Sequence, residues 1–126
     1  MIIGIGIDIV AIHRIKTADE RWGRRFLERV FSEDELRYCF DHKFPHTHLA
    51  GRFASKEAAM KAFGTGLSRG ISWKDVEVVR NSDGKPEIVL HGKIKELADI
   101  HAVKNIHISI AHDGGNAIAQ VVLEGE

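Results

Sequence analysis

The sequence predicts a single α+β domain in which an antiparallel-rich sheet packs against one long central helix. The chain has 126 residues, which is long enough for one hydrophobic core and too short for two. A helical stretch lies in the middle, whereas β-branched or alternating stretches lie near both ends. The predicted order is β-α-α-α-α-β-β-α-β-β, without an internal repeat, linker or low-complexity segment, so the domain covers residues 1–126.

The composition excludes several classes of protein. Hydrophobic residues make up 44% and charged residues 29%, as in a folded globular protein. The 18 basic and 18 acidic residues balance, which argues against nucleic-acid binding. Cys39 is the only cysteine, so no disulfide forms within the chain and a reducing, cytoplasmic compartment is expected. The first ten residues are apolar but short and contain Asp8, so we expect them to be neither a signal peptide nor a membrane span.

The first predicted strand, residues 2–10, is rich in β-branched residues with Gly4 and Gly6 between them. Such a run predicts a buried strand, and the glycines allow another backbone to approach closely. Asp8 lies near its end. Because an unpaired buried charge is costly, this carboxylate must be paired, bind a metal or border a cleft. Capping the next helix is the structural alternative.

Three helices are predicted next. The first contains Ile12 and Ile15 and directs Arg14 outward, and the second spans residues 21–30. The second helix should turn its apolar residues inward: Trp22, Phe26, Leu27 and Val30. Ser32 and Glu35 form a capping box that begins the third helix.

Basic residues cluster on the first two helices. Residues 11–30 contain six basic and three acidic residues. Four arginines recur at short helical spacings on the side opposite the apolar residues: Arg21, Arg24, Arg25 and Arg29. Such stripes are usually solvated faces, but a local basic patch also suits an acidic partner.

A group of histidines precedes the central helix. His42, His46 and His48 lie with Asp41, but a proline interrupts them and their spacing fits no common zinc pattern. The sequence favours a loop that offers imidazoles and Lys43 to an anion.

The central helix is predicted over residues 49–63, where alanine is frequent and proline absent, with Gly64 as its stop signal. At about 100° per residue, one stripe contains Leu49, Phe53, Lys56, Met60 and Phe63. Glu57 and Lys61 lie one turn apart at the margin of this stripe, beside small residues that leave room for a polar ligand. An ordinary surface ion pair is the alternative.

The remaining third of the chain predicts a hairpin, a helix and two strands. Strands over residues 76–79 and 87–90 flank an Asn-Ser-Asp-Gly turn, which indicates a β-hairpin. Residues 92–103 form an amphipathic helix. Residues 105–112 alternate, with isoleucines on one face, and 117–123 form the last strand after a Gly-Gly turn.

Three separated motifs carry a resemblance to a known family. GIGIDIV at 4–10, FASKEAAMKAFGTG at 53–66 and HISIAH at 107–112 together resemble the holo-acyl-carrier-protein synthases, the small bacterial 4′-phosphopantetheinyl transferases. The resemblance covers essentially the whole chain, including GKPEI at 84–88 and FLERVFSEDEL at 26–36. One departure is Ala11, where relatives commonly carry glutamate.

The resemblance implies the family's fold and its reaction. A serine of apo-acyl carrier protein would attack the β-phosphate of coenzyme A, releasing adenosine 3′,5′-bisphosphate, in fatty acid biosynthesis. Asp8 and Glu57 are expected to hold Mg²⁺ on the pyrophosphate, which suits the preference of magnesium for a few carboxylates, phosphate and water. Lys61 is expected to neutralise the leaving phosphate. The base is either Glu57 or a water held by the magnesium.

The resemblance also implies ligand and partner contacts. The residues expected at coenzyme A are Lys43, Arg52, Gly64, Gly66 and His112. A core-capping arginine and a strand-end histidine satisfied by backbone are the alternatives for Arg52 and His112. The acidic helix of acyl carrier protein is expected to dock on Arg14, Arg21, Arg24 and Arg25. The family's homotrimer, with sites between subunits, is expected as well.

Two other functions remain open at this point. A phosphopantetheinyl transferase could instead serve carrier domains of peptide or polyketide synthases, although such relatives are typically about twice as long. A non-catalytic module could bind an acidic helical protein through residues 14–29, but Asp8, Glu57 and Lys61 would then have only structural roles.

Overall fold

The computed structural model describes residues 1–68 and 70–126, and its elements follow the predicted order. The strands are β1 (Ile2–Ala11), β2 (Val76–Arg80), β3 (Pro86–Leu90), β4 (Asn105–Asp113) and β5 (Asn116–Glu124). The helices are α1 (Ile12–Trp22), α2 (Arg24–Val30), α3 (Glu33–Phe40), α4 (Pro45–Phe63) and α5 (Gly92–Ile100). A short 3₁₀ turn, Trp73–Asp75, precedes β2 and was not predicted.

Two antiparallel sheets form the β part of the domain, which confirms the predicted α+β class. One sheet has the strand order β1-β5-β4, and the other is the β2–β3 hairpin. Helix α4 packs across β1 and β5. The register pairs Asp8 of β1 with Ala119 of β5. Among the described residues, no helix combines the length and the apolar character that crossing a membrane requires.

Strand β1 packs closely against α4 on one face and is exposed on the other. A Cβ added at Gly6 would lie 1.8 Å from the Ala58 carbonyl oxygen, and one at Gly4 would lie 2.2 Å from that of Ala62. The predicted close backbone approach is therefore confirmed. The prediction that the strand is buried is wrong for the single chain, because Ile5 and Ile7 on its other face are 60% and 57% exposed.

Helix α4 is buried on nearly every side rather than along one stripe. Leu49, Lys56 and Met60 are fully buried, as the stripe predicts, but so are Ala50 and Ala58 outside it. The small residues allow β1 and β5 to approach one side of the helix while α3 and β2 pack on the other. The helix begins at Pro45, four residues before the predicted start, because proline is well suited to the first helical turn.

A buried ion pair crosses the core beside α4. The ammonium group of Lys56 donates to Oε1 of Glu35 at 2.9 Å, and both side chains are completely buried. Lys56 also donates to the carbonyl of Val76, and the second carboxylate oxygen of Glu35 accepts from the backbone of Val78. The pair thus joins α3, α4 and β2. The only indication of this ion pair in the sequence was the position of Lys56 inside an apolar stripe. Glu35 was predicted only as the partner of Ser32 in a capping box, and that capping box is present.

The first two helices divide at Gly23, where φ is +57°. Helix α2 therefore begins at Arg24 rather than at residue 21, because the glycine adopts a conformation that other residues disfavour. Leu27 and Val30 are buried as predicted. The prediction that Trp22 turns inward is wrong, since it closes α1 and is 54% exposed.

Candidate active site

Asp8 and Lys61 meet where β1 crosses α4. The ammonium nitrogen of Lys61 lies 3.0 Å from Oδ1 of Asp8 and 3.0 Å from the carbonyl oxygen of Ile7. Asp8 shares the inward face of β1 with the two glycines that let this strand approach the helix. The side chain of Asp8 is 16% exposed and that of Lys61 is 55% exposed, so the pair borders solvent. The closely packed crossing thus brings together residues that are distant in the sequence.

Glu57 lies one helical turn before Lys61 and is half-buried. Burial raises the pKa of Glu57, the nearby Asp8 carboxylate raises it further, and Lys61 lowers it. The alternative of a Glu57–Lys61 surface ion pair does not describe the structure, because Lys61 is paired with Asp8 instead. The three predicted catalytic residues therefore lie in one place.

A neighbouring carboxylate that raises the pKa of Glu57 also marks a place where a cation would be favoured. Within residues 1–68 and 70–126, no three metal-ligating side chains are grouped so as to hold an ion by themselves. A divalent ion at Asp8 and Glu57 would therefore take its other ligands from phosphate oxygens and water. Magnesium binds in that manner at many phosphate sites, so the donor set fits it.

In the turn after α4, the backbone amide of Gly64 already has a hydrogen-bond partner. Gly64 adopts the left-handed conformation with φ of +74°, and its N–H donates to the carbonyl of Lys61 at 3.0 Å. This amide caps the helix, so the expectation that it reaches a ligand is not supported. Gly66 also has a positive φ, and a Cβ there would meet nothing within 4 Å. The space beside Gly66 is therefore open. Arg69, in the predicted loop that follows, lies outside the described residues.

A second group of polar residues surrounds Tyr38. The guanidinium carbon of Arg52 lies 4.2 Å from the centre of the Tyr38 ring, and that of Arg80 lies 4.9 Å from it. Arg52 is only 3% exposed, and its Nε has no hydrogen-bond partner among the described residues. Because a buried donor without a partner is costly, a ligand with acceptor oxygens would stabilise this group.

Three histidine rings lie together near Arg52. The rings of His42 and His48 lie 4.0 Å apart, and His112 lies 6.4 Å from His48. The pKa of His48 is lowered to about 4, first by burial and then by surrounding groups that include His42, Arg52 and His112. His112 Nε2 also lies 3.1 Å from the carbonyl oxygen of Thr47, the backbone contact considered as the alternative for this residue.

The histidines before the central helix do not form the open loop that was predicted. His46 and His48 belong to the first turn of α4, because the helix begins at Pro45. Nε2 of His46 lies 2.8 Å from Oδ2 of Asp19, a contact that the sequence analysis missed. Lys43 lies in the turn before α4, where its ammonium group is 5.6 Å from the centre of the Phe44 ring.

The predicted docking arginines occupy the exposed sides of α1 and α2. Arg14 and Arg21 lie on α1, whereas Arg24 and Arg25 begin α2. Arg24 is bound to Glu28 at 2.8 Å, which offsets part of its charge. Trp22 adds an exposed aromatic ring to this basic surface.

Comparisons with known proteins identify the family. The family described as the 4′-phosphopantetheinyl transferase superfamily matches residues 4–121. A holo-[acyl-carrier-protein] synthase of Koribacter versatilis is 44% identical over 124 residues, covering 98% of this chain and 99% of the relative. One of Clostridium tetani is 47% identical over 126 residues, covering 100% of this chain and 98% of the relative.

Solved structures agree with the sequence comparison. The holo-[acyl-carrier-protein] synthase of Neisseria meningitidis matches with a TM-score of 0.89 and 31% identity, covering 98% of this chain and 99% of that one. The Helicobacter pylori synthase in complex with coenzyme A matches with a TM-score of 0.84 and 38% identity, covering 95% and 99%. The fold, the site at the β1–α4 crossing and these likenesses lead to one conclusion: the chain belongs to the 4′-phosphopantetheinyl transferase superfamily.

Proposed function

We propose that this chain transfers the 4′-phosphopantetheine arm of coenzyme A to a serine hydroxyl of an apo-acyl carrier protein, in fatty acid biosynthesis. The observation that carries the proposal is the meeting of Asp8, Glu57 and Lys61 at one solvent-bordering place. Relatives over the full length are named holo-[acyl-carrier-protein] synthases, and a structural neighbour holds coenzyme A. We place the reaction in the cytoplasm, which fits the single, buried cysteine.

In this scheme the serine oxygen attacks the β-phosphorus of coenzyme A. The bond from that phosphorus to the bridging oxygen breaks, and adenosine 3′,5′-bisphosphate leaves with the electron pair. Lys61 would stabilise the negative charge on the leaving phosphate, since its contacts with Asp8 and Ile7 hold the ammonium group in place beforehand. Glu57, or a water beside it, would accept the serine proton.

Asp8 and Glu57 would hold the magnesium ion expected for this reaction. When bound, the ion would supply charge neutralisation on the pyrophosphate. Catalysis by this chain would then come mainly from positioning and electrostatic stabilisation, since phosphoryl transfer asks for little covalent chemistry from the protein.

The phosphates of coenzyme A would bind at Arg52 and His112, with Lys43 and Gly66 as further contacts. The buried Nε of Arg52, without a partner among the described residues, supports this assignment. Burial is the main cause of the lowered pKa of His48, but Arg52 and His112 contribute to it as well, which fits a positive potential that an anion would relieve. His112 can serve a ligand only by sharing or leaving its contact with the Thr47 carbonyl.

The carrier protein would dock through the arginines of α1 and α2. Arg14, Arg21 and Arg25 are exposed and would meet the acidic helix of the carrier, whereas Arg24 must first loosen its pair with Glu28. Charges of this kind mainly steer and orient the encounter.

A homotrimer is part of the proposal, with sites between subunits. The β1 edge of the three-stranded sheet supports it, because the side of β1 that points away from α4 is apolar and exposed, although Gln120 of β5 lies beside Ile7. Ile5, Ile7 and Ile9 are each more than half exposed, and the register places Val122 and Ile118 beside Ile5 and Ile9. A row of exposed isoleucines on a single chain is the kind of apolar patch that often marks an interface.

The test is to incubate the protein with coenzyme A, Mg²⁺ and an apo-acyl carrier protein, and to weigh the carrier by mass spectrometry. A gain of one phosphopantetheine arm that is lost in Glu57→Ala supports the transferase. Tight binding without a mass gain would instead support a non-catalytic module. Faster modification of a peptide-synthase carrier domain than of the fatty-acid carrier would support the alternative transferase.

A further inference from the structure

Helix α1 carries part of the proposed docking surface but is only lightly attached to the domain. Ile15 is its buried residue, whereas Arg14 and Arg21 are exposed. Its N-terminal end continues directly from β1, and the N–H of Ile12 donates to the carbonyl of Gly115 at 2.9 Å. Its C-terminal end is followed by Gly23, whose φ of +57° marks a change of chain direction. The backbone at its two ends therefore does not fix the C-terminal half of α1, which depends on side-chain contacts with the rest of the domain.

One polar contact joins this half of α1 to the helix that carries the catalytic residues. Nε2 of His46 donates to Oδ2 of Asp19 at 2.8 Å, and the side chains are 21% and 20% exposed. Within residues 1–68 and 70–126, it is the only side-chain hydrogen bond or ion pair between α1 and α4. His46 lies in the first turn of α4, the helix that continues to Glu57 and Lys61.

Local helix energetics do not account for this pair. Asp19 lies in the last turn of α1, where the negative end of the helix dipole disfavours a carboxylate. His46 lies at the N-terminal end of α4, where a cation is disfavoured. The Phe40 ring stands edge-on to the imidazole, with ring centres 6.4 Å apart and an angle of 82° between the planes, which restricts its orientation. The Asp19–His46 pair is therefore better explained as a contact that joins the two helices than as one that stabilises either helix by itself.

We propose that the Asp19–His46 hydrogen bond is a positioning contact that fixes the carrier-docking helix α1 relative to the catalytic residues of α4. The inference rests on the proposed function, since it assigns the orientation of the carrier serine to this contact. A loosened α1 would keep its arginines but would have to be ordered each time the carrier docks with its serine in the productive orientation, so productive binding of the carrier would weaken. Binding of coenzyme A at α4 and at the polar residues around Tyr38 would be unaffected.

If the charge of Asp19 were all that mattered, its removal would have the opposite effect on carrier binding, so the two explanations can be distinguished. Removing a negative charge from a basic docking surface should strengthen binding of an acidic carrier. Glu20 provides a matched control, because it is the exposed acidic neighbour of Asp19 on the same helix. Asp19→Ala and Glu20→Ala change the charge equally, but only the first removes the contact with His46.

The experiment measures kcat and KM for apo-carrier and for coenzyme A in the full chain. We expect Asp19→Ala and His46→Ala each to raise KM for the carrier about fivefold, the effect of one charge-assisted hydrogen bond. KM for coenzyme A should stay within about twofold. Glu20→Ala should leave the carrier KM unchanged or lower it. The double variant Asp19→Ala/His46→Ala should be no worse than either single one, and His46→Gln, which keeps a donor, should recover much of the loss.

A second measurement does not depend on activity. Amide hydrogen exchange should be faster at residues 19–22 in Asp19→Ala and unchanged in Glu20→Ala. Unchanged exchange at residues 19–22, a carrier KM lowered as in Glu20→Ala, or equal increases in both KM values would overturn the positioning role. A wild-type protein that leaves the carrier mass unchanged would instead overturn the proposed function, and the exchange result would then still decide whether the contact holds α1.

Discussion

Replacing Gly6 with alanine should displace β1 from α4 and disrupt the site that their crossing forms. The added Cβ would lie 1.8 Å from the carbonyl oxygen of Ala58, against an ordinary contact of 3.4–4 Å. The strand and the helix would therefore have to separate by about 1.6 Å, which no side-chain rotation can provide because the obstacle is backbone. Asp8, two residues further on the same face, would move with the strand.

The consequence for activity follows from the contacts of Lys61. Its ammonium group lies 3.0 Å from both Asp8 and the carbonyl of Ile7, so a shift of that size would break both contacts. A misplacement of about 1 Å can lower a rate by about 100-fold. We expect a comparable loss in kcat/KM for carrier modification. Overpacking should also cost about 1–3 kcal/mol of unfolding free energy, so the assay must run well below the lowered Tm.

Gly125→Ala provides the control. A Cβ at Gly125 would meet Cδ1 of Ile3 at 2.7 Å, a flexible side-chain end that can rotate away, and the carbonyl oxygen of Ala102 at 3.1 Å, which has to move by only a few tenths of an ångström. This variant should keep most of its activity and lose little stability. Activity of Gly6→Ala at the wild-type level, with the protein folded, would refute the claim that the close β1–α4 crossing sets the catalytic geometry.

The other predictions concern the core, the chemistry, the docking surface and the assembly. Lys56→Met should lose about 3–5 kcal/mol in urea unfolding because it leaves the Glu35 carboxylate buried without its cation, and adding Glu35→Gln should recover part of the loss; an unchanged midpoint would contradict this. Glu57→Gln should abolish transfer without lowering Tm at neutral pH. Burial raises the pKa of Glu57 in the folded protein, so whatever stability this group contributes is present at low pH and is lost as the pH rises through the raised value; a large fall in Tm would indicate a structural role. Arg14→Glu should raise KM for the carrier far more than KM for coenzyme A, and equal effects would count against the docking surface. Ile7→Asp should shift the proposed trimer to monomer in sedimentation velocity, and a monomeric wild type would remove that part of the proposal.

Most elements of the fold could be predicted because their signals are local. The alternation of residues 105–112, the Asn-Ser-Asp-Gly turn and the Ser32–Glu35 capping box each act within a few residues, and each appears in the structure. The errors lie at boundaries where one residue has two possible roles. Pro45 begins a helix that it was expected to precede, and Gly23 separates α1 from α2 inside the stretch that was expected to form the second helix alone.

The candidate site could be assembled only in part from the sequence. Asp8, Glu57 and Lys61 were selected through the resemblance, and the structure brings them together. The partner of Lys61 could not be predicted, because Glu57 is its neighbour one turn away on the same helix, whereas Asp8 comes near it only where β1 crosses α4. The contacts of Lys56 with Glu35 and of His46 with Asp19 were missed, since they join residues 21 and 27 positions apart.

By itself, the sequence determined the class of the fold, the order of its elements and the residues able to do the chemistry. Composition, periodicity and turn residues are sufficient for the class and the order because their effects act along the chain, whereas the roles of the chemical residues came from the family resemblance. Only the tertiary structure decided which charges meet, which face of β1 is covered and how closely that strand approaches α4. Those outcomes depend on packing between distant segments, where missing Cβ atoms at Gly4 and Gly6 allow the contact that places Asp8 beside Lys61.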